Sequence, residues 1–144
     1  MKLITKNTDY AARALLHLAR RGEEFISSRE IAKREKIPLS FLRRILQRLA
    51  REGLIETREG AAGGVRLAAD PDRIELTRLI RIFQGKISLV ECLFRKRICP
   101  NRSHCVLRAR LKKIERLVLD ELAGVTVGGL VKDIEEQEDE AKDN

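Results

Sequence analysis

The chain has only three cysteines, Cys92, Cys99 and Cys105, and they fall in one short stretch with the spacing C-x6-C-x5-C. Thiolates are the preferred ligands of iron–sulfur clusters and also serve zinc. Zinc knuckles space their cysteines by two to four residues. Gaps of six and five make a wider loop, suited to wrapping something larger than one ion. Arg95, Lys96, Arg97 and Arg102 lie between the sulfurs and would offset the negative charge of a cluster–thiolate assembly. Pro100 restricts Cys99 to extended backbone, which suits a wrapping loop. An odd number of cysteines argues against a disulfide framework and for metal or redox use. Three sulfurs leave one coordination position to fill. His104 is a candidate, although its adjacency to Cys105 would strain a chain reaching one centre with both. Asp9 and Glu91 are oxygen candidates, whereas His17 reads as a helix-surface or core histidine. The cofactor expected is an iron–sulfur cluster, 4Fe–4S or 2Fe–2S. A zinc ion is the alternative.

The elements that must hold this loop are mostly helical. Tyr10, Ala14, Leu15, Leu18 and Ala19 share one face of a helix over 8–21, with Gly22 as its stop. Ser27 and Glu30 form a capping box before a short helix that ends near Ile37-Pro38. A second helix runs from about Ser40 to Glu52, with Phe41, Leu42, Ile45, Leu46 and Leu49 apolar. Together these two make a helix-turn-helix. Residues 54–58 and 65–67 read as short strands around the glycine-rich connection 59–64, giving a hairpin wing. Leu76, Leu79, Ile80 and Phe83 describe another helix, stopped by Gly85. After the cysteine loop, Leu107, Leu111, Ile114 and Val118 recur at the spacing of a long amphipathic helix with a coiled-coil-like seam. Pairing with a second copy would cover that seam. A last short helix starts at Thr126. The expected fold is therefore mainly α with a small β-hairpin wing: a winged helix-turn-helix plus a long dimerisation helix. Three parts are expected, namely 1–70 for DNA binding, 71–136 for the cysteine loop and dimerisation helices, and 137–144 as an acidic, disordered tail.

The second helix of the motif carries Ser40, Arg43, Arg44, Gln47, Arg48 and Arg51. Positions 40, 43, 44 and 47 share the face opposite the leucine–isoleucine stripe. Arginine can bridge the two acceptors on a guanine edge and glutamine suits adenine, so these four are the candidate base readers. Arg48 and Arg51 are candidate phosphate contacts. Arg58 and Arg66 flank a wing tip narrow enough to enter a minor groove.

The net charge of +8 understates the basic body. Residues 132–144 carry seven acids against two lysines, which leaves +13 on the rest. Such a body favours a polyanionic partner, usually nucleic acid. Aromatic residues make up 3% of the chain, with no Trp, which disfavours a base-stacking single-strand binder. With two histidines, no nucleophile–base pair and no phosphate loop, little is available for catalysis. No apolar run approaches the roughly 20 residues of a membrane span, and no signal peptide opens the chain, so a cytoplasmic location is expected.

Over nearly its whole length the chain resembles the small bacterial winged-helix repressors that include the iron–sulfur regulator IscR and the nitric-oxide sensor NsrR. The matching pieces are Met1-Lys-Leu-Ile-Thr-Lys-Asn-Thr-Asp-Tyr-Ala11, Ile37-Pro-Leu-Ser-Phe-Leu42, Leu49-Ala-Arg-Glu-Gly-Leu-Ile55 and Gly63-Gly-Val-Arg-Leu-Ala68. The cysteine loop followed by a long helix completes them. The resemblance implies a homodimer with crossed long helices, a palindromic double-stranded operator, and a cluster near the dimer interface. IscR-like members carry a histidine three residues after the last cysteine, where this chain has Arg108. NsrR-like members supply an aspartate from the start of the first helix, which corresponds to Asp9, given from the partner subunit. The first cysteine gap is six residues where many members have five. Arg43 stands where an acidic residue is common in IscR-like proteins, implying a different operator. These features lean towards an NsrR-like repressor sensing nitric oxide, oxygen or iron–sulfur status. The rival from another class is a zinc-stabilised or cluster-free DNA-binding module without a sensing role.

Overall fold

The structure is a computed structural model and describes residues 2–90, 93–94 and 97–143. Helix α1 (Lys6–Arg20) buries Tyr10, Ala11, Ala14, Leu15 and Leu18, the stripe that its 3.6-residue period presents to one side. Helix α2 (Ser28–Glu35) starts where the Ser27 hydroxyl accepts the Glu30 N–H at 3.2 Å. Only half of the expected capping box forms, because the Glu30 carboxylate pairs with Arg21 instead. A tight turn through Lys36, in left-handed backbone at φ 53°, leads into helix α3 (Leu39–Arg51). Leu42, Ile45, Leu46 and Leu49 of α3 are buried. A fully buried side chain of this size contributes about 1.5–3 kcal/mol, so this stripe fixes how α3 rolls against α1 and α2.

Strands β1 (Ile55–Arg58) and β2 (Gly64–Leu67) pair antiparallel, from Ile55 opposite Leu67 to Arg58 opposite Gly64. Ile26, in the α1–α2 connection, adds a one-residue antiparallel bridge: it exchanges two backbone hydrogen bonds of 2.9 Å with Val65. That approach explains the second wing glycine. Gly64 has φ +154°, and a Cβ there would lie 2.3 Å from the Ile26 carbonyl oxygen.

A 3-10 turn (Pro71–Arg73) precedes α4 (Leu76–Gln84). Two short strands, β3 (Leu93–Phe94) and β4 (Arg97–Ile98), pair within the cysteine loop. They are followed by α5 (Val106–Ala123) and α6 (Val127–Asp143). The α5–α6 junction is stitched to the start of α4: Leu76 N–H donates to the Val125 carbonyl at 2.8 Å, and Val127 N–H to that of Ile74 at 2.9 Å. Gly128 lets α6 pass the 3-10 turn, since a Cβ there would sit 2.0 Å from an Asp72 carboxylate oxygen. Ile74, Leu79 and Val127 belong to the same buried cluster as α1–α3, so one core runs through both sides of residue 70.

The acidic tail departs from its sequence expectation. Instead of a disordered run from 137, α6 continues as helix through Asp143. Its Glu138 carboxylate receives both hydrogen bonds of a 2.8 Å fork from Arg20, and Ile134 lies beside Leu16, His17 and Arg20 of α1. These contacts touch α6 at Ile134 and Glu138, while the side chains from 135 to 143 stay exposed. Among the described residues no helix is long and apolar enough to cross a membrane.

Candidate nucleic-acid interface and cysteine loop

Helix α3 presents Ser40, Arg43, Arg44, Gln47, Arg48 and Arg51 to solvent, all exposed, opposite its buried stripe. Phe41 is the exception to the expected apolar face. It is 41% exposed and its ring lies under the Arg44 guanidinium, 4.8 Å from the centroid. That stacking narrows the rotamers open to Arg44 and so orders a side chain aimed at solvent. Arg48 pairs with Glu52 at 3.4 Å. Among the described residues Arg43 and Arg51 have no ion pair.

The wing arginines are more committed than expected. Arg58 and Arg66 project from one face of the hairpin, and both guanidinium groups lie over the Phe25 ring, 4.2 and 4.5 Å from its centroid. Arg58 also donates to the Ala62 carbonyl at 3.0 Å, shaping the tip. Arg66 pairs with Glu56 and donates to the Glu23 carbonyl at 3.3 Å. Phe25 thus gathers two cations at the base of the wing, a platform that spacing along the sequence does not reveal.

Of the three cysteines, Cys92 lies outside the described residues, as does Glu91. Cys99 and Cys105 are free thiols, each partly buried. Between them the chain makes tight turns, with Arg102 N–H donating to the Cys99 carbonyl at 3.1 Å and His104 N–H to that of Asn101 at 3.2 Å. Cys105 is the N-cap of α5, and its sulfur accepts the Arg108 N–H at 3.4 Å. An anionic sulfur is favoured at a helix N-terminus, where unpaired N–H groups point outward. His104 is exposed and shares a 2.9 Å hydrogen bond with Ser103. Asp9 sits in the first turn of α1, about half exposed, and accepts from Arg13 at 2.5 and 3.0 Å. That contact holds Arg13 firmly protonated, its pKa raised above the ordinary value. His17 bonds Glu35 at 2.9 Å across the α1–α2 packing, a structural position.

Among the described residues no three His, Cys, Asp or Glu side chains converge as metal ligands. One chain therefore does not bring Asp9 or His104 together with Cys99 and Cys105. The donor chemistry nevertheless fits a cluster: two partly buried thiols, with exposed Arg97 and Arg102 beside them and nothing acidic between Arg97 and Cys105.

Sequence reasoning missed Glu115. It is 5% exposed, on α5, and accepts the Leu89 N–H at 2.7 Å and the Lys112 ammonium at 2.5 Å. The Lys112 contact first, and the Leu89 N–H second, hold its carboxyl below the ordinary range. Glu115 thereby latches the segment entering the cysteine loop onto the helix leaving it. Within an amphipathic helix a lone glutamate beside lysines reads as solvent-facing, so no local signal marks it. Elsewhere on α5 apolar side chains stand open: Val106 is 81% exposed, Leu107 64%, Ile114 48% and Leu117 57%. Leu111 and Val118 lie half-buried at its edge.

A three-helix unit with a tight motif turn, an arginine-rich exposed second helix and a hairpin wing defines a winged-helix DNA-binding protein. The chain belongs to the Rrf2 family, described as iron-dependent transcriptional regulators, which it matches over residues 4–133. It is 37% identical to Protein aau3 of Rhizobium meliloti over 130 residues, covering 90% of this chain and 84% of that one. It is 33% identical to the HTH-type transcriptional repressor NsrR of Streptomyces coelicolor over 130 residues, covering 89% and 87%. Regulators named IscR are also among its relatives. In three dimensions it is similar to CymR, the global cysteine regulator of B. subtilis, with a TM-score of 0.74 and 28% identity over 92% of this chain and 98% of that one. The protein is thus a DNA-binding transcriptional regulator and not an enzyme.

Proposed function

We propose that this regulator is a dimeric repressor whose operator affinity is set by an iron–sulfur cluster held by Cys92, Cys99 and Cys105. Asp9 of the second copy is the fourth ligand and His104 the runner-up. The observation that carries the reading is the position of Cys105: its sulfur, a candidate ligand, caps the first turn of the helix that bears the exposed apolar side chains. A change in what Cys105 binds acts directly on the N-terminus of α5, and Glu115 ties the other end of the loop to the same helix. The apolar face of α5, through Leu107, Leu111, Ile114 and Val118, pairs two copies and so sets the spacing of two α3 helices on a palindrome. Ser40, Arg43, Arg44 and Gln47 read bases, with Arg48, Arg51, Arg58 and Arg66 at phosphates or the minor groove. When bound, the cluster supplies a redox- and gas-reactive centre that is easier to perturb where an oxygen ligand replaces a thiolate. The NsrR relative supports nitric oxide as the signal, with oxygen and iron–sulfur status the other classes this chemistry admits.

The test is anaerobic purification followed by visible spectroscopy and operator binding with and without cluster. A coloured dimer whose DNA affinity changes on cluster loss is expected, and each Cys→Ala variant should lose the colour. Colourless protein with one zinc per chain would give the site to the zinc alternative. An Asp9→Ala protein that matches the parent in spectrum and reactivity, while His104→Ala does not, would pass the fourth position to His104.

A further inference from the structure

An open bowl of about 510 Å³ lies between the C-terminal end of α3 and one side of α4 with the 3-10 turn before it, lined by Arg48, Glu52, Arg73, Glu75, Arg78 and Arg81 among others. Four guanidinium groups there face two carboxylates, and the carboxylates are engaged: Glu52 by Arg48, and Glu75 by the Thr77 hydroxyl at 2.9 Å. Arg78 donates to the Glu52 carbonyl at 2.9 Å, tying α4 to the end of α3. The other two arginines are free to act outward. Arg73 is exposed, with its one carboxylate contact at 3.9 Å to Asp70. Arg81 is exposed and has no ion pair among the described residues.

We infer that this bowl is a second phosphate-binding surface, in which Arg73 and Arg81 contact the DNA backbone beyond the footprint of the reading helix. The inference rests on DNA binding through α3 and adds a contact element to it. Arg48 belongs both to the bowl and to the exposed side of α3, so the two surfaces adjoin. A guanidinium fork matches phosphate oxygens in geometry and charge. An open, polar bowl suits a passing backbone rather than an enclosed small molecule. Because α4 ends at Gly85 and the chain then enters the cysteine loop, the helix that leads to the loop would itself grip DNA. A shift of the loop would then be felt at a phosphate as well as in the spacing of the dimer.

Phosphate contacts predict a particular signature: affinity falls equally for all sequences, and the salt dependence flattens by about 0.9 per lost contact. The experiment compares the parent, Arg73→Ala, Arg81→Ala and the double variant as full-length protein. Each is titrated over a range of salt with two duplexes of about three helical turns, one a binding site selected from random sequence and one scrambled. The double variant should bind both duplexes roughly tenfold or more weakly at low salt, with the specificity ratio kept and the slope reduced by about one for each contact removed. Lys142→Ala, which removes a charge from the acidic end of α6, should change neither. An unchanged salt slope in the double variant overturns the inference, whether affinity is unchanged or falls. If the double variant is less stable by thermal melt, Arg73→Lys with Arg81→Lys decides by the same rule: affinity restored at parental slope supports phosphate contact, and affinity still lost at parental slope overturns it. A parent that shows no preference for its selected duplex overturns the reading of α3 instead, a result distinct from loss of the bowl.

Discussion

The first half of the molecule closes on itself, whereas α5 does not. From Tyr10 to Leu79 nearly every large aliphatic side chain of α1, α3 and the wing strands is inside one cluster. On α5 only Leu122 and the carboxylate-bearing Glu115 are buried, while Val106, Leu107, Ile114 and Leu117 stand open. A hydrophobic stripe of that length on a lone helix does not repay its exposure in water; it is stable when another surface covers it. The contrast teaches where stability and regulation separate. The helices before the cysteine loop share one closed core with Ile74 and Val127, whereas α5 keeps apolar side chains in solvent, the surface proposed to pair two copies.

The comparison breaks most sharply at α5. Ile114→Asp with Leu117→Asp places carboxylates in the apolar face, where an unpaired buried charge costs about 3–5 kcal/mol. The double variant should sediment as a folded monomer, because neither side chain belongs to the internal core. A dimer that survives would move the interface elsewhere. In the other half, Leu49→Ala should destabilise the whole fold by about 2–5 kcal/mol in chemical denaturation, since Leu49 is fully buried; a smaller loss would mean that α3 relaxes into the space. Arg44→Ala should weaken operator binding by about 1–3 kcal/mol and relax sequence preference while leaving the melting temperature in place, because Arg44 stacks only on exposed Phe41. Ser27→Ala removes the cap of α2 and should cost about 1 kcal/mol of stability, read by the same denaturation. The smallest effect is expected in the pH profile of α5. Glu115 is held below its ordinary value of 4.5, so its contribution is complete above that value and is lost as pH falls through the lower folded one. Stability should therefore be insensitive to this group from neutral down to about pH 5, and Glu115→Gln should flatten the decline in more acid solution.

Much of the fold was legible because it is written in local patterns. The spacing of Leu42, Ile45, Leu46 and Leu49 specifies one buried face of α3, and the arginines between them must then point outward. The double glycine at 63–64 marks the wing, although its cause is close backbone approach, of Gly63 to Arg58 and of Gly64 to Ile26, rather than the flexible tip alone. Ile26 itself was not legible, since a bridge of one residue leaves no alternation to read. Phe25 beneath Arg58 and Arg66 was hidden for a similar reason: the residues are brought together by the pairing of strands distant in sequence.

Composition and spacing by themselves determined the winged helix-turn-helix, the basic body, the clustering of three cysteines and the apolar stripe of the long helix. Each depends on neighbours a few residues apart, so a linear reading suffices. Only the tertiary structure decided that the acidic helix meets α1, through Arg20 on Glu138 and Ile134 beside Leu16. Only the tertiary structure buried Glu115 and made it a latch between loop and helix, because a carboxylate enters an interior where a distant N–H and an ammonium await it. Arg73, Arg78 and Arg81 gathered beside α3 through the same long-range packing, which brings together groups whose separation along the chain carries no trace of it.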